Sequence, residues 1–206
     1  MNRGKLVIVS GFSGAGKGTI MKKLVSEKDN YALSVSATTR KPREGEVEGN
    51  SYFFKTVKEF EQMIKENAFL EYARYVDNYY GTPKAFVEQM MNEGKDVLLE
   101  IEIQGAMKVK KAYPDAILIF ITTKDAKTLR QRLIGRGTET EDVINKRLVR
   151  AKEEALGVED YNYIVVNDIL EDCVETVDRI VRSEHNRTSD KISIIEEIRR
   201  DLSKES

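Results

Sequence analysis

The apolar run Leu6-Val7-Ile8-Val9 leads into Gly11-Phe12-Ser13-Gly14-Ala15-Gly16-Lys17-Gly18-Thr19, and that segment into the amphipathic stretch Ile20-Met21-Lys22-Lys23-Leu24-Val25. The order reads as strand, phosphate loop and helix, and it restricts the chain to folds that place a loop at the end of a buried strand. Three glycines let the backbone turn its N–H groups inward toward an anion, and the helix N-terminus behind them adds partial positive charge. Lys17 can then reach the β- and γ-phosphates of a nucleotide. Gly18 occupies the position where such loops usually carry a Mg²⁺-binding Ser or Thr, and the hydroxyl follows one residue later at Thr19. A plain glycine-rich turn explains neither the lysine nor the strand and helix around it.

Three further apolar runs, Val97 to Ile103, Ala116 to Ile121 and Tyr163 to Val166, read as strands buried on both faces and alternate with helical patterns. This alternation predicts a parallel α/β sheet flanked by helices, with ligands at the carboxyl ends of the strands. Glu100 and Glu102 alternate near the end of one run, which predicts both carboxylates on one sheet face near the loop. Two segments break the rhythm. From about Tyr31 to Thr82 the chain shows a Lys41-Pro42-Arg43-Glu44-Gly45 turn, the aromatics Tyr52-Phe53-Phe54 and the Tyr79-Tyr80-Gly81 cluster, which suggests inserted antiparallel strands. Within it Phe60, Met63 and Ile64 fall on one side of a helical stretch, most simply as packing. From about Lys124 to Leu156, Arg130, Arg132, Arg136, Lys146, Arg147 and Arg150 crowd together, and Thr138-Glu139-Thr140-Glu141 reads as a capping box for a helix from Val143 to Leu156. Charged helices are commonly only solvated. On a chain with a phosphate loop, however, an arginine-rich excursion also suits a lid, and Arg147 and Arg150, three apart, share a face.

The 206 residues, 40% of them hydrophobic, suffice for a substantial core in one domain. Lys and Arg number 34 against 35 Asp and Glu, so the net charge of -1 gives no overall basic field and argues against nucleic acid as partner. No run has signal-peptide or membrane-spanning character, and the single Cys173 cannot form an internal disulfide, which together lead us to expect a cytoplasmic, reducing compartment. Cys173 lies in the periodic run Ile169 to Val181 and reads as a core residue. The lone His185 follows that helix and attracts no catalytic role. A last amphipathic helix from Ile192 to Leu202 carries Ile194, Ile195, Ile198 and Leu202 as a stripe expected to dock on the core. Oligomeric state stays open.

Ser34-Val35-Ser36-Ala37-Thr38-Thr39-Arg40-Lys41-Pro42-Arg43-Glu44-Gly45-Glu46, followed by Tyr52, Glu71 and Tyr80-Gly81-Thr82, resembles the nucleotide-binding segment of guanylate kinases. The match continues through Leu99 to Gly105, Gly135 to Thr140, Asn145 to Leu148 and Val165 to Asp168, so it spans nearly the whole chain in ordered, separate motifs. The resemblance implies a P-loop NTPase core at 1–32, 84–123 and 157–206, an inserted mixed α/β region at 33–83 that binds GMP, and a helical lid at 124–156. It implies that Ser36, Arg40, Arg43, Tyr52 and Tyr80 hold the GMP phosphate. Arginine forks with hydroxyl donors suit phosphate oxygens, although an Arg-Lys-Pro-Arg surface turn is the bland alternative.

On the same resemblance, Glu71 and Thr82 read the base: a carboxylate accepts from guanine N1 and N2 together, whereas adenine opposes it with a lone pair. Taken alone, Glu71 among Tyr72, Arg74 and Tyr75 reads as a surface carboxylate. The family usually has aspartates where Glu100 and Glu102 stand; Glu102 is assigned to the guanine side, and Glu100 with Thr19 to Mg²⁺ or its waters. ATP is expected on Gly11 to Thr19 with Arg132, Arg136 and Asn167. Lys17, Arg40, Arg43, Arg136 and Arg147 are the expected catalytic cations for transfer of the ATP γ-phosphoryl to GMP. Alternatives are a catalytically silent interaction module of the same fold, a same-fold kinase for another phosphorylated acceptor such as a ribose phosphate, and a phosphate-loop GTPase.

Overall fold

The computed structural model describes residues 3–75, 77–135 and 140–204. In chain order the elements are β1 (Leu6–Gly11), α1 (Lys17–Glu27), β2 (Tyr31–Leu33), β3 (Ala37–Thr38), β4 (Phe53–Phe54), α2 (Val57–Lys65), β5 (Phe69–Tyr75), β6 (Asn78–Pro83) and α3 (Lys84–Asn92). They continue with β7 (Asp96–Glu100), α4 (Ile103–Ala112), β8 (Ile117–Thr122), α5 (Ala126–Ile134), α6 (Glu141–Glu154), a 3₁₀ turn at Ala155–Asp160, β9 (Tyr163–Val166), α7 (Leu170–Glu184) and α8 (Thr188–Leu202).

Five strands form a parallel sheet in the order β2-β7-β1-β8-β9, with Val7 opposite both Leu98 and Ile117. Because successive strand residues point to opposite faces, β1 feeds two cores at once. Val7 and Val9 pack with Leu24 of α1 and Val174 and Val177 of α7, while Leu6 and Ile8 pack with Val87 of α3 and Ala106 and Val109 of α4. Helices on both faces leave the strand ends as the open side, and the phosphate loop leaves from the end of the central strand.

A second sheet of order β4-β3-β6-β5 is mixed: β3 pairs β4 in parallel and β6 antiparallel. It rests on its own small core, in which the fully buried Phe60 of α2 stacks on Phe69 at 4.4 Å and on Tyr79 at 5.2 Å. The start of α2 is fixed by a capping box in which the Glu59 N–H donates to Thr56 Oγ1 and the Thr56 N–H to Glu59 Oε2.

Four expectations are corrected. Tyr31 to Leu33 belongs to the main sheet as its edge strand, because pairing with β7 supplies the ladder that so short a run cannot specify. The second apolar run ends as a strand at Glu100, so Glu102 does not share a strand face with it but stands at the N-cap of α4. Thr140, not Thr138, is the N-cap of α6 and makes no side-chain cap bond; Thr138 and Glu139 lie outside the described residues. The stripe on α8 does not dock: Ile192, Ile194, Ile195, Ile198 and Leu202 are between 38% and 59% exposed.

Cys173 is 2% exposed, and burial pushes its thiol up to about 11, in line with a core residue. His185 lies 2.7 Å from Asp96, the first residue of β7, at the end of the sheet away from the phosphate loop. Among the described residues no helix is long and apolar enough to cross a membrane.

Candidate active site

The loop's backbone explains its glycines at two points. Gly16 has φ 95 and caps α1, and a Cβ there would lie 2.5 Å from Asn167 Nδ2; at Gly11 a Cβ would lie 2.0 Å from the Ile121 carbonyl oxygen on β8. The loop is gripped from behind. Asn167, 5% exposed, donates Nδ2 to the Ala15 carbonyl at 2.7 Å, and Arg132 of α5 donates to the Asn167 carbonyl at 2.7 Å and to the Ala15 carbonyl at 3.3 Å. Both residues therefore act on the loop's own backbone. Lys17, the first residue of α1, donates Nζ to the Gly11 carbonyl at 2.8 Å and lies 3.8 Å from Glu100. Its ammonium thus sits over the mouth of the loop, beside a carboxylate at the end of the neighbouring strand.

Across a cleft of about 760 Å³ stands the second sheet. Arg40 follows β3 and lies over the Tyr52 ring at 5.3 Å, with Tyr80 of β6 6.2 Å from Tyr52, so a guanidinium and two phenols converge. Arg40 donates to Glu46 at 2.7 Å, and the other Glu46 oxygen accepts from the Arg43 N–H at 2.7 Å. The hydrogen bond to Glu46 raises the Arg40 guanidinium above its ordinary value, and the same bond holds the Glu46 carboxyl below the usual range. Glu46 is a site residue to which the sequence assigned no role, since six residues from Arg40 matches neither a helix nor a strand face and the pairing depends on the turn between them. Arg43 itself is exposed, and Ser36 lines the cleft without a side-chain partner in common with Arg40.

Glu71 is not a surface carboxylate. The fully buried Thr82 donates to Glu71 Oε1 at 2.8 Å, and the other oxygen faces Gly105 in the first turn of α4, where a Cβ would be 3.6 Å away. Burial pushes the Glu71 carboxyl up; the Thr82 bond and Lys108 oppose this, and nearby Glu102 adds to it. Glu102 at the α4 N-terminus lines the cleft, and Glu71 with Thr82 stands behind it, against the first turn of the same helix.

The arginine-rich helix α6 forms the roof. Arg147 donates to Ser13 Oγ on the phosphate loop, and Arg150 reaches Glu102 at 2.6 Å. Arg136 lies outside the described residues. Among the described residues no group of three or more His, Cys, Asp or Glu could hold a metal ion. Beside the loop stand the Glu100 carboxylate, 3.7 Å from where a Gly18 Cβ would lie, and the exposed Thr19 hydroxyl. One carboxylate with a hydroxyl fits Mg²⁺, which keeps several waters and takes one or two carboxylates together with substrate phosphates.

Comparison with known proteins agrees with this layout. The guanylate kinase family model matches residues 3–184. The guanylate kinase of Lactococcus lactis subsp. lactis (strain IL1403) is 51% identical over 185 residues, 90% of each chain. That of Clostridioides difficile (strain 630) is 47% identical over 203 residues, covering 98% of this chain and 99% of that one. Among solved structures, guanylate kinase from Anaplasma phagocytophilum superposes with a TM-score of 0.70 at 30% identity, over 91% of this chain and 89% of that one.

Proposed function

The chain belongs to the guanylate kinase family, whose members transfer the γ-phosphoryl of ATP to GMP, and from this premise we propose how its own residues divide that reaction. Residues 1–32, 84–123 and 157–206 are the donor-binding core, 33–83 the acceptor arm and 124–156 the lid. Gly11 to Thr19 cradle the ATP phosphates, with Lys17 at the β- and γ-phosphates; Arg132 and Asn167 serve this half by fixing the loop that holds them. Ser36, Arg40, Arg43, Tyr52 and Tyr80 hold the acceptor phosphate, and Glu71, Thr82 and Glu102 read guanine. Arg136 and Arg147 close over the transferring group.

The observation that supports this reading is one cleft lined by Lys17 and the glycine-rich loop on one side and by Ser36 and Tyr52 on the other, with Arg40 and Tyr80 against the Tyr52 ring. The acceptor oxygen of GMP is largely ionised at neutral pH, so no general base is needed, and the work lies in bringing two polyanions into line and balancing charge on the transferring group. Hydroxyls and arginine forks orient the acceptor, and α6 over the loop excludes the water that would otherwise hydrolyse ATP. Thr19 and Glu100 would hold Mg²⁺ or its waters, and the ion would supply positive charge to the ATP phosphates. The reaction proceeds on free nucleotides in the cytoplasm, in keeping with one buried cysteine and a near-neutral chain.

Replacing Lys17 with Ala is expected to abolish transfer, by roughly a thousandfold or more, because the interaction it removes is strongest as charge develops. GMP affinity by calorimetry is expected to stay within about twofold, since Arg40 and the phenols lie on the other wall. An equal loss of GMP affinity would contradict the assignment of Lys17 to the donor half.

A further inference from the structure

The lid helix touches both halves of the cleft with two arginines one turn apart. Arg147 reaches the phosphate loop, and Arg150, on the same face, reaches Glu102 at 2.6 Å. Arg150 is held from its own helix as well: its Nε donates to Glu154 Oε1 at 3.3 Å, four residues on, which leaves Nη2 directed at Glu102. A planar guanidinium used in this way has two of its donors fixed in direction. The ion pair uses Oε2 of Glu102, and the second oxygen is the one assigned to the exocyclic amine of guanine.

The length of Glu102 matters. An aspartate, shorter by one carbon–carbon bond of about 1.5 Å, would put the carboxylate out of hydrogen-bond reach of Arg150. The glutamate stands at the N-cap of α4, where the helix dipole favours its charge, and its field acts on Glu71 behind it. The base-reading wall and the lid are therefore joined by a single carboxylate.

We propose that Arg150 is a positioning residue that latches the lid helix to the base-reading wall through Glu102, so that guanine recognition and lid closure support one another. This rests on the assignment of Glu102 to the guanine side. With GMP in place Glu102 bridges the guanine amine and Arg150; without Arg150 the carboxylate loses its orientation and the lid its hold on the acceptor half.

A double-mutant cycle on the full chain tests the latch, reading KM for GMP and for ATP by coupled ADP release and the GMP dissociation constant by calorimetry. Arg150→Ala is expected to raise both GMP constants about three- to tenfold while KM for ATP stays within about twofold. Arg150→Lys, which keeps the charge but loses the fork, is expected to fall between Arg150→Ala and wild type. Glu102→Asp is expected to match Arg150→Ala, and the double variant to be no worse than either single one. A thermal midpoint within about two degrees of wild type controls for folding. The latch is overturned if Arg150→Ala leaves GMP binding unchanged or tightens it, or if the two single effects multiply in the double variant. Glu102→Gln separates the layers: unchanged GMP kinetics there would remove the guanine assignment itself, whereas a loss with multiplying single effects would remove only the latch.

Discussion

Glu71 shows how a single residue's role depends on what surrounds it. It is followed by Tyr72, Arg74 and Tyr75, so sequence alone offers a surface carboxylate, and only the resemblance to guanylate kinases points to the base. The structure supplies the missing physical facts: a buried threonine eleven residues away and a glycine at the start of another helix leave this carboxylate desolvated. Desolvation raises its pKa, so the ionised form that guanine requires is lost at a higher pH than for an ordinary glutamate. As pH falls below 7, KM for GMP is therefore expected to climb in wild type sooner than an ordinary glutamate would cause, as Glu71 protonates. The GMP phosphate titrates in the same range, so Glu71→Gln serves as the reference: a KM already raised about tenfold or more at pH 7, and a shallower rise below it. The same shift fixes the sign for stability. A folded-state pKa above the unfolded value costs stability where the group is ionised, at neutral pH, and that cost is relieved as pH falls. Glu71→Gln is thus expected to unfold at no lower temperature than wild type at pH 7. Parallel pH profiles for the two proteins would contradict the buried-base reading. Glu46 shows the opposite gap, since its bond to Arg40 closes across a turn whose geometry no spacing rule gives.

Among the elements, legibility followed length and periodicity. The long apolar strands and α7 announce themselves, and the stripe of Phe60, Met63 and Ile64 is a helix face as expected. What escaped was set by tertiary pairing. The three residues of β2 become a strand only because β7 lies beside them, and Glu102 becomes a helix cap because the chain turns after Glu100. Periodicity also misled in α8, where a true apolar stripe exists but remains exposed, since a pattern states that a face is apolar and not what covers it. The second sheet makes a sharper test, because its core is small and Phe60 is its centre. Phe60→Ala is expected to destabilise that unit by about 3–5 kcal/mol, the usual cost of emptying a buried phenylalanine site, measured by urea unfolding. GMP affinity is expected to fall with it while ATP affinity is retained, because the donor loop is built on the other two cores. A loss under about 1 kcal/mol, or equal loss of both ligands, would show that the second sheet does not stand on this stack.

For the whole molecule, the architecture follows from one strand feeding two helical layers, which leaves the strand ends open and the phosphate loop at the centre of the opening. The alternation of apolar runs with helices made this much readable, and the inserted sheet and arginine-rich helix were readable as interruptions of it. That they face each other across one cleft was not readable, because facing depends on the lengths and angles of connections rather than on any local pattern. The cleft is what turns a phosphate loop into a two-substrate site, and the acceptor wall is what makes it selective. The most direct test is ADP release with ATP and Mg²⁺ across GMP, AMP, CMP, UMP and a ribose phosphate. Turnover with GMP at a kcat/KM at least about a hundredfold above every other acceptor is the expected result, since each alternative leaves Glu71 without its paired donors. Equal use of AMP or the ribose phosphate, or no turnover with any acceptor, would contradict it.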